Sequence, residues 1–76
     1  MRIVTQDRMR IVDTDGCDII FGTDGEILLR RYAPDRIRDT ALGIYKTRER
    51  EQQVFDLLVQ AFGQIYRRDF YEMPAE

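Results

Sequence analysis

The sequence of 76 residues contains no histidine, serine, tryptophan or asparagine. These absences exclude a serine-based catalytic triad, a histidine general base, a Cys-His dyad and a zinc site built from Cys and His. Reactive chemistry is left to carboxylates, tyrosines, threonines, one lysine and one cysteine. We therefore expect a protein that is not an enzyme, with no catalytic residue, no cofactor and no metal ion.

Cysteine and long apolar segments are also scarce. Cys17 has no second cysteine to pair with, which is typical of a reducing compartment. Asp15 and Asp18 beside it disfavour a reactive thiolate, so we interpret Cys17 as a packing residue. The longest apolar runs, such as residues 19–21, are far shorter than the roughly 20 residues of a membrane span, and residues 1–7 lack a signal-peptide core. We expect a cytoplasmic protein without membrane contact.

Composition predicts a single small domain over residues 1–76. Apolar residues make up 43% and charged residues 34% of the chain, as in globular rather than disordered proteins. The formal net charge is only -2, so bulk electrostatics select no particular partner. A core of this size leaves only about 3–5 kcal/mol of net stability, which makes a partner surface or self-association unsurprising.

Alternating apolar residues and turn signals predict short strands. The predicted strands cover residues 3–4, 9–12, 17–21, 26–32 and 40–45. The four residues between the first two strands suit a hairpin, the segment 13–16 suits a turn, and Asp24-Gly25 is a strong hairpin signal. Pro34 should end the fourth strand, and residues 34–39 should form a polar connection to the fifth.

A helix is predicted to follow the fifth strand. Thr47 suits the N-cap position, so the helix should start at Arg48, and Gly63 should bend it or allow it to end near Tyr66. Residues 70–73 resemble a last edge strand or a docked extended segment. Apolar residues at helical spacing should face the sheet: Val54, Phe55, Leu58, Ala61, Phe62 and Ile65.

These elements predict a small α+β fold. We expect a strongly curved antiparallel sheet of five to six short strands, forming a partial barrel, with one long C-terminal helix packed across it. The third and fourth strands each carry three consecutive apolar residues, whereas strict alternation would bury only one face. Either the sheet curls into the partial barrel, or its second face meets another chain.

Three segments carry a resemblance to a known family: residues 1–7, residues 42–50 and residues 71–74. In this order they resemble a family of small uncharacterised proteins of Gram-positive bacteria, their phages and mobile elements. In that family Gly usually follows Asp7 in a turn, where this chain has Arg8. The family usually reads Glu-Arg-Ala at the helix start, where this chain has Glu51 as the third residue. The resemblance implies the fold and a phage or mobile-element context, without an activity.

Clustered aspartates invite comparison with a calcium loop. Asp13, Asp15, Asp18 and Asp24 are close in sequence, but Gly16 falls two places early for such a loop and no Glu closes it. We interpret these aspartates as turn residues and predict no metal site.

Arginine is strongly preferred, since eleven of the twelve basic residues are Arg. The run from Arg30 to Arg38 has forks that suit phosphate, but Asp35 and Asp39 dilute its charge and the chain pI is about 5.1. The composition therefore disfavours nucleic acid as a partner. Arg and Tyr are enriched at protein interfaces, although genomic base composition explains the same arginine bias. The predicted partner-binding residues are Arg30, Arg31, Tyr32, Arg36, Arg38, Tyr66, Arg67 and Tyr71.

The favoured function is a non-enzymatic protein-binding accessory module of phage or mobile-element origin. A homodimer through a sheet edge or the second face is one form that this role could take. One alternative is a phage-encoded inhibitor of a bacterial defence nuclease, of the anti-CRISPR type, in which an acidic domain masks a nucleic-acid-binding surface. A second alternative is nucleic-acid binding through a loop from Arg30 to Arg38.

Overall fold

The structure is a computed structural model of the chain, and it describes residues 1–63 and 70–76. Within these residues the chain forms six strands and one helix, which confirms the α+β class. In chain order they are β1 (Arg2–Val4), β2 (Ile11–Asp13), β3 (Cys17–Phe21), β4 (Glu26–Ala33), β5 (Arg36–Ile44), α1 (Arg48–Gly63) and β6 (Phe70–Glu72). Strands β2, β1 and β6 form sheet 1, and strands β3, β4 and β5 form sheet 2.

Sheet 1 is mixed, which corrects the predicted single antiparallel sheet. Strand β1 pairs antiparallel with β2 and parallel with β6, so that Ile3 lies between Val12 and Tyr71. The Met73 backbone N–H then donates to the Val4 carbonyl at 3.0 Å. The predicted edge strand at residues 70–73 is thus confirmed. The six strands thus form two separate sheets, and the described residues do not close into a barrel.

Sheet 2 consists of two successive hairpins. The predicted Asp24-Gly25 turn is confirmed, since both residues have positive φ, at 54° and 83°. The predicted polar connection at residues 34–39 is wrong, because β5 already begins at Arg36, directly opposite Ala33. Only Pro34 and Asp35 link the two strands. Apart from Ile37, residues 30–31 and 36–39 are charged and lie on both strand faces, so this part of the hairpin lacks the sustained apolar alternation that marks a strand in a sequence.

The helix begins at Arg48 as predicted. The Thr47 hydroxyl accepts the Arg50 backbone N–H at 3.1 Å, which confirms the N-cap. The prediction that the helix is C-terminal is wrong, because β6 follows it. Val54 and Leu58 are buried as expected, but Ile65 and the predicted helix end near Tyr66 lie outside the described residues.

The hydrophobic core draws on both sheets, the helix and the C-terminal segment. The Phe55 ring stacks on Phe21 with centroids 4.5 Å apart, which places the helix on the face of sheet 2 that carries Ile27 and Leu29. Cys17 packs against this core, as interpreted from the sequence. The buried apolar side chains include Ile3, Val12, Ile27, Leu29, Leu42, Tyr45, Val54, Leu58 and Met73.

Gln6 connects the two sheets at the base of β5. Its backbone N–H donates to the Leu42 carbonyl at 2.8 Å, and its side-chain oxygen accepts the Ile44 N–H at 2.7 Å. Its side-chain nitrogen donates to the carbonyls of Ile44 and Ala75 at 3.0 and 2.9 Å. Gln6 thus forms hydrogen bonds with the exposed backbone groups at this end of the β5 edge, and its bond to Ala75 fixes the C-terminal segment beside them.

Among the residues that the structure describes, no helix combines the length and apolar character needed to cross a membrane.

Candidate functional site

The hairpin of β4 and β5 distributes the predicted partner-binding residues over two faces of sheet 2. Arg30 lies opposite Asp39, and Arg31 lies opposite Arg38. Directly opposed residues share a face, and successive residues alternate between faces. Arg30 and Asp39 therefore lie on the outer face, which points away from the helix. Arg31 and Arg38 lie on the inner face, the one that carries the buried Leu29 nearer the core.

The outer face holds its polar side chains in fixed positions. Arg30 grips Asp39 through two hydrogen bonds, Nε to Oδ1 at 2.9 Å and Nη2 to Oδ2 at 3.0 Å. This bond raises the pKa of Arg30 and lowers the pKa of Asp39. The Tyr32 hydroxyl donates to Asp18 Oδ2 at 2.8 Å, and that bond raises the pKa of Tyr32. Two of the predicted binding residues are therefore preorganised by neighbouring strands.

The outer face is also apolar beside these polar contacts. Tyr32 and Ile37 lie opposite each other near the hairpin tip and are 53% and 57% exposed. Toward the base of the hairpin the same face continues with Ile20, Leu28, Ala41 and Ile44. Ile44 is 56% exposed. An open apolar surface with one exposed tyrosine thus surrounds the ion pair.

The inner face changes character along the hairpin. Near the helix it is buried, but beyond Leu29 it carries Arg31 and Arg38, with Arg36 closer to the tip. There the two sheets border a cleft of about 410 Å³, which we name the arginine cleft. Its side chains come from both sheets: Arg10, Val12, Leu29, Arg31, Arg38 and Thr40. Asp39 also borders the cleft, but its carboxylate is bonded to Arg30 on the outer face.

Arg10 reaches the cleft because it continues the β1–β2 ladder. The Thr5 N–H donates to the Arg10 carbonyl at 2.9 Å, and the Arg10 N–H donates to the Thr5 hydroxyl at 3.2 Å. Arg10 lies two residues before the buried Val12, so the two share the inner face of sheet 1. Sequence reasoning missed Arg10 as a binding residue. The two-residue spacing from Val12 could have placed Arg10 on the inner face of its strand. It could not have shown that a second sheet lies opposite that face.

The remaining predicted binding residues do not join this hairpin. Tyr71 lies on β6 in sheet 1, half-buried against the core, and burial raises the pKa of its hydroxyl. Tyr66 and Arg67 lie outside the described residues. Within the described part of the chain, the structure therefore brings together Arg30, Tyr32 and Ile37 on one face and the arginines 31, 36 and 38 on the other.

Asp13, Asp15 and Asp24 lie in or beside turns, as the sequence predicts, whereas Asp18 lies in β3, so its interpretation as a turn residue is wrong. The Asp13 carboxylate accepts the Asp15 backbone N–H at 3.0 Å, and Gly16 closes that turn with a φ of 72°. Asp24 lies in the β3–β4 turn, while Asp18 binds the Tyr32 hydroxyl. Across residues 1–63 and 70–76, no three Asp, Glu or Cys side chains come together in a way that could hold a metal ion.

No protein-family model, no curated protein and no solved structure matches this chain.

Proposed function

We propose that this chain is a non-enzymatic protein-binding module whose partner contacts the outer face of sheet 2. The observation that carries this proposal is the exposure of Tyr32 and Ile37, which lie opposite each other beside the Arg30–Asp39 pair. Tyrosine and arginine are the residue types that most often dominate the energy of protein interfaces.

The fixed positions of Arg30 and Tyr32 support this role. Immobilising a long side chain on binding costs about 0.5–1.5 kcal/mol. Here Asp39 and Asp18 already hold the two side chains through hydrogen bonds of 2.8–3.0 Å. Much of that entropic cost is therefore met before any partner arrives, and more of the contact energy remains for affinity.

The charge of the outer face indicates the chemistry of the partner. Asp18, Asp39 and Glu26 share this face with Arg30, so carboxylates outnumber guanidinium groups three to one among these four residues. A second copy of the chain would bring the same negative sign to the interface, whereas a basic surface would complement it. We therefore favour a protein with an apolar patch rimmed by Lys or Arg over a homodimer.

Inhibition of a bacterial defence nuclease is the narrower form of the same proposal. A nuclease offers a basic surface where it grips nucleic acid, and an acidic outer face suits that surface. The whole chain is also acidic, with a formal net charge of -2. A phage or mobile-element origin stays a prediction from the resemblance described above.

The test is affinity capture from the native host, with the bound protein identified by mass spectrometry and its Kd measured after purification. We expect the Tyr32→Ala, Ile37→Ala double variant to weaken binding at least about 30-fold, since a single interface anchor contributes about 2 kcal/mol or more.

The matched control replaces two exposed apolar residues of α1, Leu57→Ala with Val59→Ala. These residues are 39% and 59% exposed and lie on the helix, not on sheet 2. The control should retain the partner. Equal loss in both double variants, unchanged binding by the outer-face variant, or a purified partner with an acidic contact surface would contradict the proposal.

A further inference from the structure

We propose that the arginine cleft binds the phosphate group of a small phosphorylated molecule. The proposal concerns the inner face of the hairpin, so it is independent of the protein-binding role of the outer face. It rests on the placement of Arg10, Arg31 and Arg38 around one cleft between the two sheets.

The cleft gathers guanidinium groups from separate parts of the chain. Arg10 precedes β2, Arg31 lies on β4 and Arg38 lies on β5. The Arg31 Nη2 atom donates to the Asp13 carbonyl at 2.9 Å, which ties this side chain across to sheet 1. That bond restrains the guanidinium group, and a guanidinium fork suits two oxygens of one phosphate.

This arrangement is electrostatically unfavourable for the folded chain alone. Arg31 lies directly opposite Arg38, and like charges in such a cross-strand pair are destabilising. Among the described residues, no carboxylate forms a salt bridge with Arg10, Arg31 or Arg38. A bound anion would supply the missing negative charge.

The carboxylates near the cleft form hydrogen bonds with groups other than its three arginines. Asp39 binds Arg30 on the other face, and the Asp13 side chain accepts a backbone N–H of its own turn. The pKa of the Asp7 carboxylate is lowered mainly by the hydrogen bond from the Thr5 hydroxyl, and the charge of Arg10 adds to this effect. Its bonds go to the Thr5 hydroxyl at 2.6 Å and the Met9 N–H at 2.9 Å.

The size and floor of the cleft indicate a compact ligand. Its volume of about 410 Å³ is within the 300–1,000 Å³ of typical small-molecule sites. Val12 and Leu29 are 7% and 3% exposed and give the floor an apolar character, while Thr40 offers a hydroxyl. This suits a phosphate attached to a small body that packs on the floor. The net charge of -2 disfavours a long polyanion.

Isothermal titration calorimetry at about 50 mM salt provides the test, because phosphate contacts weaken as salt rises. The probes are pyrophosphate, adenosine monophosphate and a short single-stranded oligothymidylate. We expect the first two to bind the full chain. Arg31→Gln and Arg38→Gln should each weaken that binding about tenfold or more, since each removes a charge-assisted hydrogen bond.

Arg2→Gln is the matched control. It makes the same change of side chain and charge at an exposed position of β1 that does not line the cleft, and it should leave the affinity unchanged. Equal weakening by this control, or no binding of either small probe, would overturn the proposal. Binding of the oligothymidylate alone would overturn the assignment of a small ligand in favour of single-stranded nucleic acid.

A thermal melt without ligand gives a second readout. Because Arg38→Gln removes a like-charge pair, the variant should unfold at the same temperature as the wild-type chain or higher. A lower unfolding temperature would show that Arg38 stabilises the fold and would contradict the electrostatic argument. Arg31→Gln and Arg38→Gln leave the outer face intact. Loss of phosphate binding and loss of protein capture are therefore distinguishable, and each tests only its own proposal.

Discussion

At position 8 the glycine variant should be more stable than the alanine variant, although alanine is usually the more stabilising of the two residues. Arg8 has a φ of 64°, in the left-handed region, which costs a non-glycine residue roughly 1–2 kcal/mol. Its N–H donates to the Thr5 carbonyl at 2.9 Å, and Asp7 accepts the Met9 N–H at 2.9 Å. These contacts hold the turn in place, so the backbone keeps its unfavourable angle instead of relaxing.

The comparison that isolates this strain is Arg8→Gly against Arg8→Ala. Both remove the exposed 3.4 Å contact between Arg8 and Glu72, which contributes at most about 1 kcal/mol. Only glycine relieves the strain, and it loses roughly 0.5–1 kcal/mol through the greater entropy of its unfolded chain. Glycine should therefore be the more stable variant by about 0.5–1 kcal/mol, or roughly 2–8 °C in Tm.

Thermal and urea unfolding followed by circular dichroism measure this difference. Arg2 provides the control, because it is an exposed arginine of the neighbouring strand β1, without a positive φ. There Arg2→Gly should be less stable than Arg2→Ala. If alanine is as stable as glycine at position 8, the left-handed turn and the reasoning built on it are wrong.

Two further predictions concern the C-terminal segment. Met73 is fully buried, so Met73→Ala should cost about 2–5 kcal/mol, comparable with the whole stability of such a domain, and an unchanged urea midpoint would contradict this. Burial raises the pKa of Tyr45 from 10.0 to about 12, so its contribution to stability is complete below pH 10 and is lost as pH rises through 12. Tyr45→Phe should cost about 1 kcal/mol at pH 7, from the lost bond to the Pro74 carbonyl, and should decline less between pH 10 and 12. Urea unfolding at both ends of that range checks it, and a decline equal to that of the wild-type chain would refute it.

Features governed by a few adjacent residues could be predicted from the sequence. The Thr47 cap and the Asp24-Gly25 turn depend on one hydroxyl bond and on two backbone angles, and both were confirmed. The buried positions Val54 and Leu58 follow from helical spacing alone. In each case the physical cause lies within a few residues of its effect.

The pairing of strands could not be predicted in the same way. Residues 36–39 have no buried face, so their strand character depends on hydrogen bonds to β4 and not on an apolar pattern. The parallel pairing of β1 with β6 joins segments nearly 70 residues apart, such as Arg2 and Phe70, and nothing local marks it. The strand order of sheet 1 therefore depends on a pairing that no local pattern marks.

The candidate site also combines features that the sequence predicts with features that only the tertiary structure determines. The sequence by itself identified Arg30, Arg31, Tyr32 and Arg38 as unusual, because their residue types suit binding. Only the tertiary structure decided that Arg30 and Tyr32 share one face while Arg31 and Arg38 share the other and meet Arg10. Residue type is a local property. The residues that surround a side chain in the fold depend on strand register and on which sheet lies opposite.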